Sequence, residues 1–219
     1  RLLQQHRVST DGLCVVHHLN VRQPTAVYRF FKDIGVEYLQ FLPLVMRAPD
    51  HGVSAETVPA EAYGTFLCTI FGEWIRHDIG RIGVQNFDEA ARPFLGMEHA
   101  LCVSRETCGD VVVVEHNGDM YACDHFVDRE HRLGNIRETP LVELLDHPEL
   151  RQFGRNKRDT LPRYCLECEV LKLCNGGCPK DRFARTPGGE EGLNYLCAGY
   201  RRFFAYSRPY LQRMAVFRQ

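Results

Sequence analysis

Cys165, Cys168, Cys174 and Cys178 stand in one short run, Cys-x2-Cys-x5-Cys-x3-Cys, closed by Pro179. Spacings this short let a single loop wrap its thiolates around one compact inorganic core. Cys102, Cys108 and Cys123 lie upstream and Cys197 downstream, so eight of the ten cysteines fall between 102 and 197. Eight thiols make two sets of four, and four thiolates complete one [4Fe–4S] cluster. The competing uses of these thiols are weaker. Disulfides need an oxidising compartment, and a chain of 219 residues with 44% hydrophobic and 25% charged residues can build a core without staples. Structural zinc usually shows paired Cys-x2-Cys knuckles, and Cys165 with Cys168 is the one such pair. Scattered core thiols do not crowd into a single window.

The residues before the cysteine-rich part alternate strand and helix. Gly12 to Leu19 is an apolar run suited to a buried strand. A helix follows from Pro24, with Val27, Phe30, Phe31 and Ile34 on one face and Gly35 as its stop. Glu37 to Val45 reads as the next strand, which completes a βαβ unit and predicts a parallel sheet. Residues 47–57 read as a loop. A long helix over Ala60–Asp78 carries Tyr63, Phe66, Leu67, Ile70, Phe71, Trp74 and Ile75 at helical spacing. Composition shifts near Gly96. Beyond it, Val111–Glu115 and Met120–Cys123 flank Asn117-Gly118, a hairpin signal that asks both turn residues to tolerate positive φ. Pro140–Phe153 reads as one amphipathic helix, and a last helix begins near Cys197 with Pro209 expected to end or kink it. The division expected is 1–97 and 98–219. The chain starts at Arg1 inside an apparent helix (Leu2, Leu3, His6), so a fragment of a longer protein is expected.

The closing Cys178-Pro179 is similar to bacterial ferredoxin runs, whose last cysteine ligates the other cluster, and that analogy assigns Cys178 to the upstream set. In chain order, Cys102, Gly118, Cys123, the 165–178 run and Cys197 resemble the twitch-extended SPASM domain of radical S-adenosylmethionine (SAM) enzymes. Cys108, the phrase NGDMYACDHFV from Asn117 and LGNI from Leu133 look most like the anaerobic sulfatase-maturating enzymes.

The resemblance implies an α/β part, the C-terminal end of a partial (β/α)6 radical SAM barrel, followed by an α+β, cysteine-rich SPASM domain. It implies two auxiliary [4Fe–4S] clusters, one on Cys102, Cys108, Cys123 and Cys178, the other on Cys165, Cys168, Cys174 and Cys197. It implies Asp124, directly after the hairpin cysteine, as general base. It also implies SAM and a third [4Fe–4S] cluster in the full-length protein, oxidation of a sulfatase Cys or Ser to Cα-formylglycine, a flavodoxin or ferredoxin as electron donor, and a cytoplasmic setting. The chain departs from the family in one respect. No Cys-x3-Cys-x2-Cys motif is present, because Cys174 and Cys178 are followed by Asp181 where a third cysteine would stand. By this reading the fragment is inactive alone. Two alternatives stay open: another SPASM enzyme that crosslinks a peptide, and a non-catalytic electron-transfer or peptide-binding module.

The remaining candidates are weaker. Cys14 and Cys68 read as core thiols, and His17, His18 and Gln40 as strand residues that a barrel would carry near its active-site rim. The basic stretch 151–163 reads as a solvated loop, with neutralisation of cluster charge as its alternative role, and Pro187-Gly188-Gly189 as a mobile turn. A net charge of -1 gives no basic surface for nucleic acid or an anionic membrane, and no apolar run reaches the roughly 20 residues a span needs. No secretory signal is visible.

Overall fold

The computed structural model describes residues 2–6, 8–48 and 52–216. It forms two compact units: Arg1–Glu98 with Leu196–Gln219, and His99–Tyr195.

The first unit opens with a short helix α1 (Leu2–Gln5), strand β1 (Gly12–Val16), helix α2 (Pro24–Asp33) and strand β2 (Tyr38–Pro43). Helix α3 (Ala60–His77), strand β3 (Gly83–Val84) and helix α4 (Gln85–Ala91) follow. The strands form a parallel sheet in the order β1-β2-β3, with Leu13 opposite Gln40 and Leu39 opposite Val84. Leu39 and Phe41 point to the buried face. Leu13, Val15 and Leu42 are exposed, so the β1 run is buried on one face, not two. In α2 the buried residue is Tyr28, whereas Phe30 and Ile34 are exposed. The reason lies at the end of α3: buried Asp78 accepts from Tyr28 Oη at 2.9 Å and from Lys32 Nζ at 2.6 Å, which rotates α2 to present those two side chains. The loop read over 47–57 is irregular where described. Its residues 49–51 lie outside the described set.

The second unit begins with a three-stranded antiparallel sheet, β4 (Val113–Val114), β5 (Asp119–Tyr121) and β6 (Arg132–Asn135). The third strand carries no alternation that sequence reading could use. Gly118 takes φ 89° and its N–H donates to Glu115 O at 2.8 Å. Asn117 is not left-handed, so this is the longer hairpin turn in which glycine alone takes positive φ. The single helix expected over Pro140–Phe153 is two, α5 (Leu141–Leu145) and α6 (Pro148–Asp159). Pro148 forces His147 into an extended conformation, and α6 restarts on that proline. Helix α6 therefore runs through most of the basic stretch read as a loop. Met120, Ala122, Leu133, Leu144 and Leu150 make the core between sheet and helices, flanked by Val112 and Phe153. Two one-turn helices follow, α7 (Arg163–Leu166) and α8 (Leu171–Cys174). At Pro187-Gly188-Gly189, Gly189 N–H closes on Thr186 O at 2.9 Å, a hydrogen-bonded turn.

The chain then returns to the first unit as α9 (Cys197–Val216), which runs unbroken through Pro209. Its packing explains why the proline is tolerated. Phe203, Phe204 and Leu211 are buried, and Phe71 of α3 meets the rings of Phe203, Tyr206, Tyr210 and Phe87. The helices touch backbone to backbone: a Cβ on Gly64 would lie 2.5 Å from Gly199 O. The second compact unit ends at Tyr195, and α9 beyond it packs on α3.

Candidate metal centre

Short turns present the thiols of the second unit. Cys102 sits in a turn, Cys108 lies against α6, Cys123 follows the hairpin, and Cys178 precedes the 3-10 turn Pro179–Asp181. Cys108 reaches its place because α6 has a glycine there: Cys108 N–H donates to Gly154 O at 3.3 Å, and a Cβ on Gly154 would lie 2.2 Å from Cys108 O. Cys165 is buried in α7, and Cys168 N–H closes back on Cys165 O at 3.0 Å. Cys174 ends α8. Between it and Cys178, Asn175, Gly176 and Gly177 are all left-handed, at φ 46°, 70° and 62°. Three successive left-handed residues are costly for any side chain, which accounts for the two glycines.

Two buried or half-buried cations and two amides lock these loops. Lys157 of α6 is 1% exposed. Its ammonium donates to the carbonyls of Cys102 at 2.7 Å, Val103 at 3.1 Å and Arg105. Arg182 donates to Gly176 O at 3.0 Å and Asn175 O at 2.9 Å across the left-handed turn, and to Lys157 O. Asn175 Nδ2 ties that turn to the Cys102 loop through Ser104 O at 2.7 Å. Asn194 Nδ2 donates to Gly176 O and Cys178 O at 3.3 and 3.2 Å.

The thiols act on one another electrostatically. Burial pushes Cys123 up to about 12, with Asp124 and Cys178 adding to the rise. Burial pushes Cys178 up to about 11, with Asp181 and Cys102 adding. Cys108 is raised by burial and by Cys102, against the pull of Lys157. Cys165 is raised by burial and by Cys168, and lowered by Arg182. Cys108, Cys123, Cys165 and Cys178 resist ionisation by themselves, so a bound cation would have to displace their protons.

Cys102, Cys108, Cys123, Cys165, Cys168 and Cys178 are free thiols. A donor set of thiolates alone suits soft centres such as iron–sulfur clusters. Among the described residues, no three His, Cys, Asp or Glu side chains are arranged to hold a single ion. Asp124 is exposed, and its Oδ1 accepts from Cys123 Sγ at 3.2 Å.

In the first unit, Cys197 is the first residue of α9. Cys14 and Cys68 are half-buried in β1 and α3, and burial pushes Cys68 up to about 11. His17 and His18 follow β1, and His18 Nδ1 is buried without a hydrogen-bond partner among the described residues. Gln40 stands on the sheet face opposite Leu39 and Phe41. Sequence reasoning did not single out Lys157, Gly154 or Arg182. The first two lie in the basic stretch 151–163, whose composition does not say which residue turns inward, and Arg182 lies outside it.

Residues 102–169 match the SPASM model, an iron–sulfur cluster-binding domain. The serine-type anaerobic sulfatase-maturating enzyme of Bacteroides thetaiotaomicron is 41% identical over 97% of this chain and 55% of its own length. The serine-type enzyme of Klebsiella pneumoniae is 35% identical over 93% of the chain and 50% of its length. This chain is a homologue of the anaerobic sulfatase-maturating enzymes. It spans about half the length of these relatives. Among solved structures, native anSMEcpe with bound AdoMet and Cp18Cys peptide superposes with a TM-score of 0.85 at 30% identity, over 98% of this chain and 60% of that one. The homologue is thus a mixed α/β chain with an iron–sulfur cluster-binding domain, and no helix among its described residues is long and apolar enough to cross a membrane.

Proposed function

We propose that this chain is the auxiliary-cluster half of a radical SAM enzyme that oxidises a Cys or Ser of a sulfatase to Cα-formylglycine. The match of residues 102–169 to the iron–sulfur cluster-binding SPASM domain carries the reading. These four would hold one [4Fe–4S] cluster, and Cys165, Cys168, Cys174 and Cys197 a second, with every iron ligated by protein. Clusters closed in this way carry electrons and organise loops, and the SAM-binding cluster supplies the radical chemistry when present. The parallel β1-β2-β3 sheet is the part of this chain that a partial (β/α)6 barrel would use.

Asp124 is assigned the proton-accepting role. In this structure Cys123 donates to it. Ligation of Cys123 removes that S–H and leaves the carboxylate oxygen free to take the proton of a substrate thiol or hydroxyl. A peptide of a sulfatase is the substrate, and a flavodoxin or ferredoxin the electron donor. Solvent-near thiolate clusters also call for a reducing, cytoplasmic setting.

Anaerobic reconstitution with iron and sulfide counting tests the cluster assignment, and about eight irons per chain is the expected result. A count near four or zero would contradict it. Incubating the full-length protein with SAM and a sulfatase peptide, followed by mass spectrometry for formylglycine, tests the substrate.

A further inference from the structure

Lys157 and Arg182 are poor residues to leave in a folded interior. A buried ammonium costs several kcal/mol unless compensated. Here the compensation is made of carbonyls: among the described residues, no carboxylate accepts a hydrogen bond from either side chain. The two positive charges are therefore not cancelled locally by an acid. Both sit on the cysteine loops: Lys157 on the carbonyl of Cys102, and Arg182 on the carbonyls of Asn175, Gly176 and Gly177 between Cys174 and Cys178. Lys157 lies within electrostatic reach of Cys108, Cys102 and Cys178. Arg182 lies within reach of Cys165 and Cys174, and also of Cys178 and Cys108. The two are joined in series, because Arg182 donates to the carbonyl of Lys157.

We propose that Lys157 and Arg182 are built-in counter-charges of the clusters: Lys157 serves the Cys102, Cys108, Cys123 and Cys178 set, and Arg182 stands between both sets. The inference rests on the two-cluster reading above. Four thiolates on a [4Fe–4S] core leave a net negative charge, and one-electron reduction makes it more negative by one unit. A fixed cation nearby favours the reduced form and raises the reduction potential, since net charge and local hydrogen bonding are the protein's means of tuning such centres. Lys157 should act mainly on one cluster and Arg182 on both.

The test uses the anaerobically reconstituted full chain, reduced stepwise with dithionite and followed by electron paramagnetic resonance, with iron and sulfide counted first. Wild type that takes up no cluster would sink the two-cluster reading and this inference together. In loaded protein, Lys157→Gln should move one midpoint to more negative potential and the other less. Arg182→Gln should move both. Lys157→Arg and Arg182→Lys, which keep the charge, should restore the wild-type midpoints. Full iron content with unmoved midpoints in both glutamine variants would overturn the proposal and leave the cluster reading intact. If Lys157→Gln takes up no iron, Lys157→Arg decides: restored loading supports a charge role, and continued failure assigns Lys157 to packing.

Discussion

Asp124 and Cys123 are neighbours in chain and in hydrogen bonding, and the state of one governs the other. Asp124→Asn keeps the size of the side chain and removes the base. The expected outcome, in the full-length protein, is a loss of formylglycine formation of about 100-fold or more, the usual contribution of a placed proton acceptor. Iron content and the visible spectrum should be unchanged. Wild-type turnover in Asp124→Asn would remove Asp124 from the chemistry. Away from the clusters, Cys68 offers a pH prediction. Its thiol rises from 9.0 to about 11 through burial. A folded value above the unfolded one means the contribution to stability is complete below about pH 9 and fades as pH climbs through about 11. Urea unfolding of wild type and Cys68→Ala at pH 8 and pH 10.5 should show a steeper alkaline loss in the wild type.

Helix α6 brings the Cys108 segment close because Gly154 leaves room for its carbonyl. Gly154→Ala improves helix propensity but drives a methyl into Cys108 O, so its net effect should be destabilising by about 1–3 kcal/mol. The first cluster should be lost or depleted while the fold persists, read as an iron count falling by about four. An unchanged iron count would show that the loop does not depend on this contact. The same helix marks the limit of reading by composition. Its apolar residues are few, and its charges, typical of solvent, conceal one lysine turned inward. By contrast α3, with seven apolar residues at helical spacing, was legible from end to end, because burial on that scale leaves a periodic trace. The break at His147 was also written in the sequence, as the residue before a proline, but the apolar run across it masked the signal.

At the scale of the whole chain, the eight cysteines between 102 and 197 make a prediction about partition. Cys123→Ser and Cys165→Ser should each lower the iron count by about four, and the double variant by about eight. A single variant that empties both sets would show one cooperative centre in place of two. Spacing alone made the cysteine-rich half legible. It does not say which unit α9 packs on: the apolar residues Phe203, Phe204 and Leu211 announce a buried helix but not its partner, and the close approach of Gly64 to Gly199 leaves no hydrophobic pattern at all. The boundary at Tyr195 matters during synthesis on the ribosome. The second unit is an insertion, complete before α9 has been translated, so α3 must wait with its aromatic stripe uncovered while nearly a hundred intervening residues, 99–195, are made. The first unit can close only after α9 has been made. A stalled or prematurely ended nascent chain would therefore expose that stripe to chaperones and proteases.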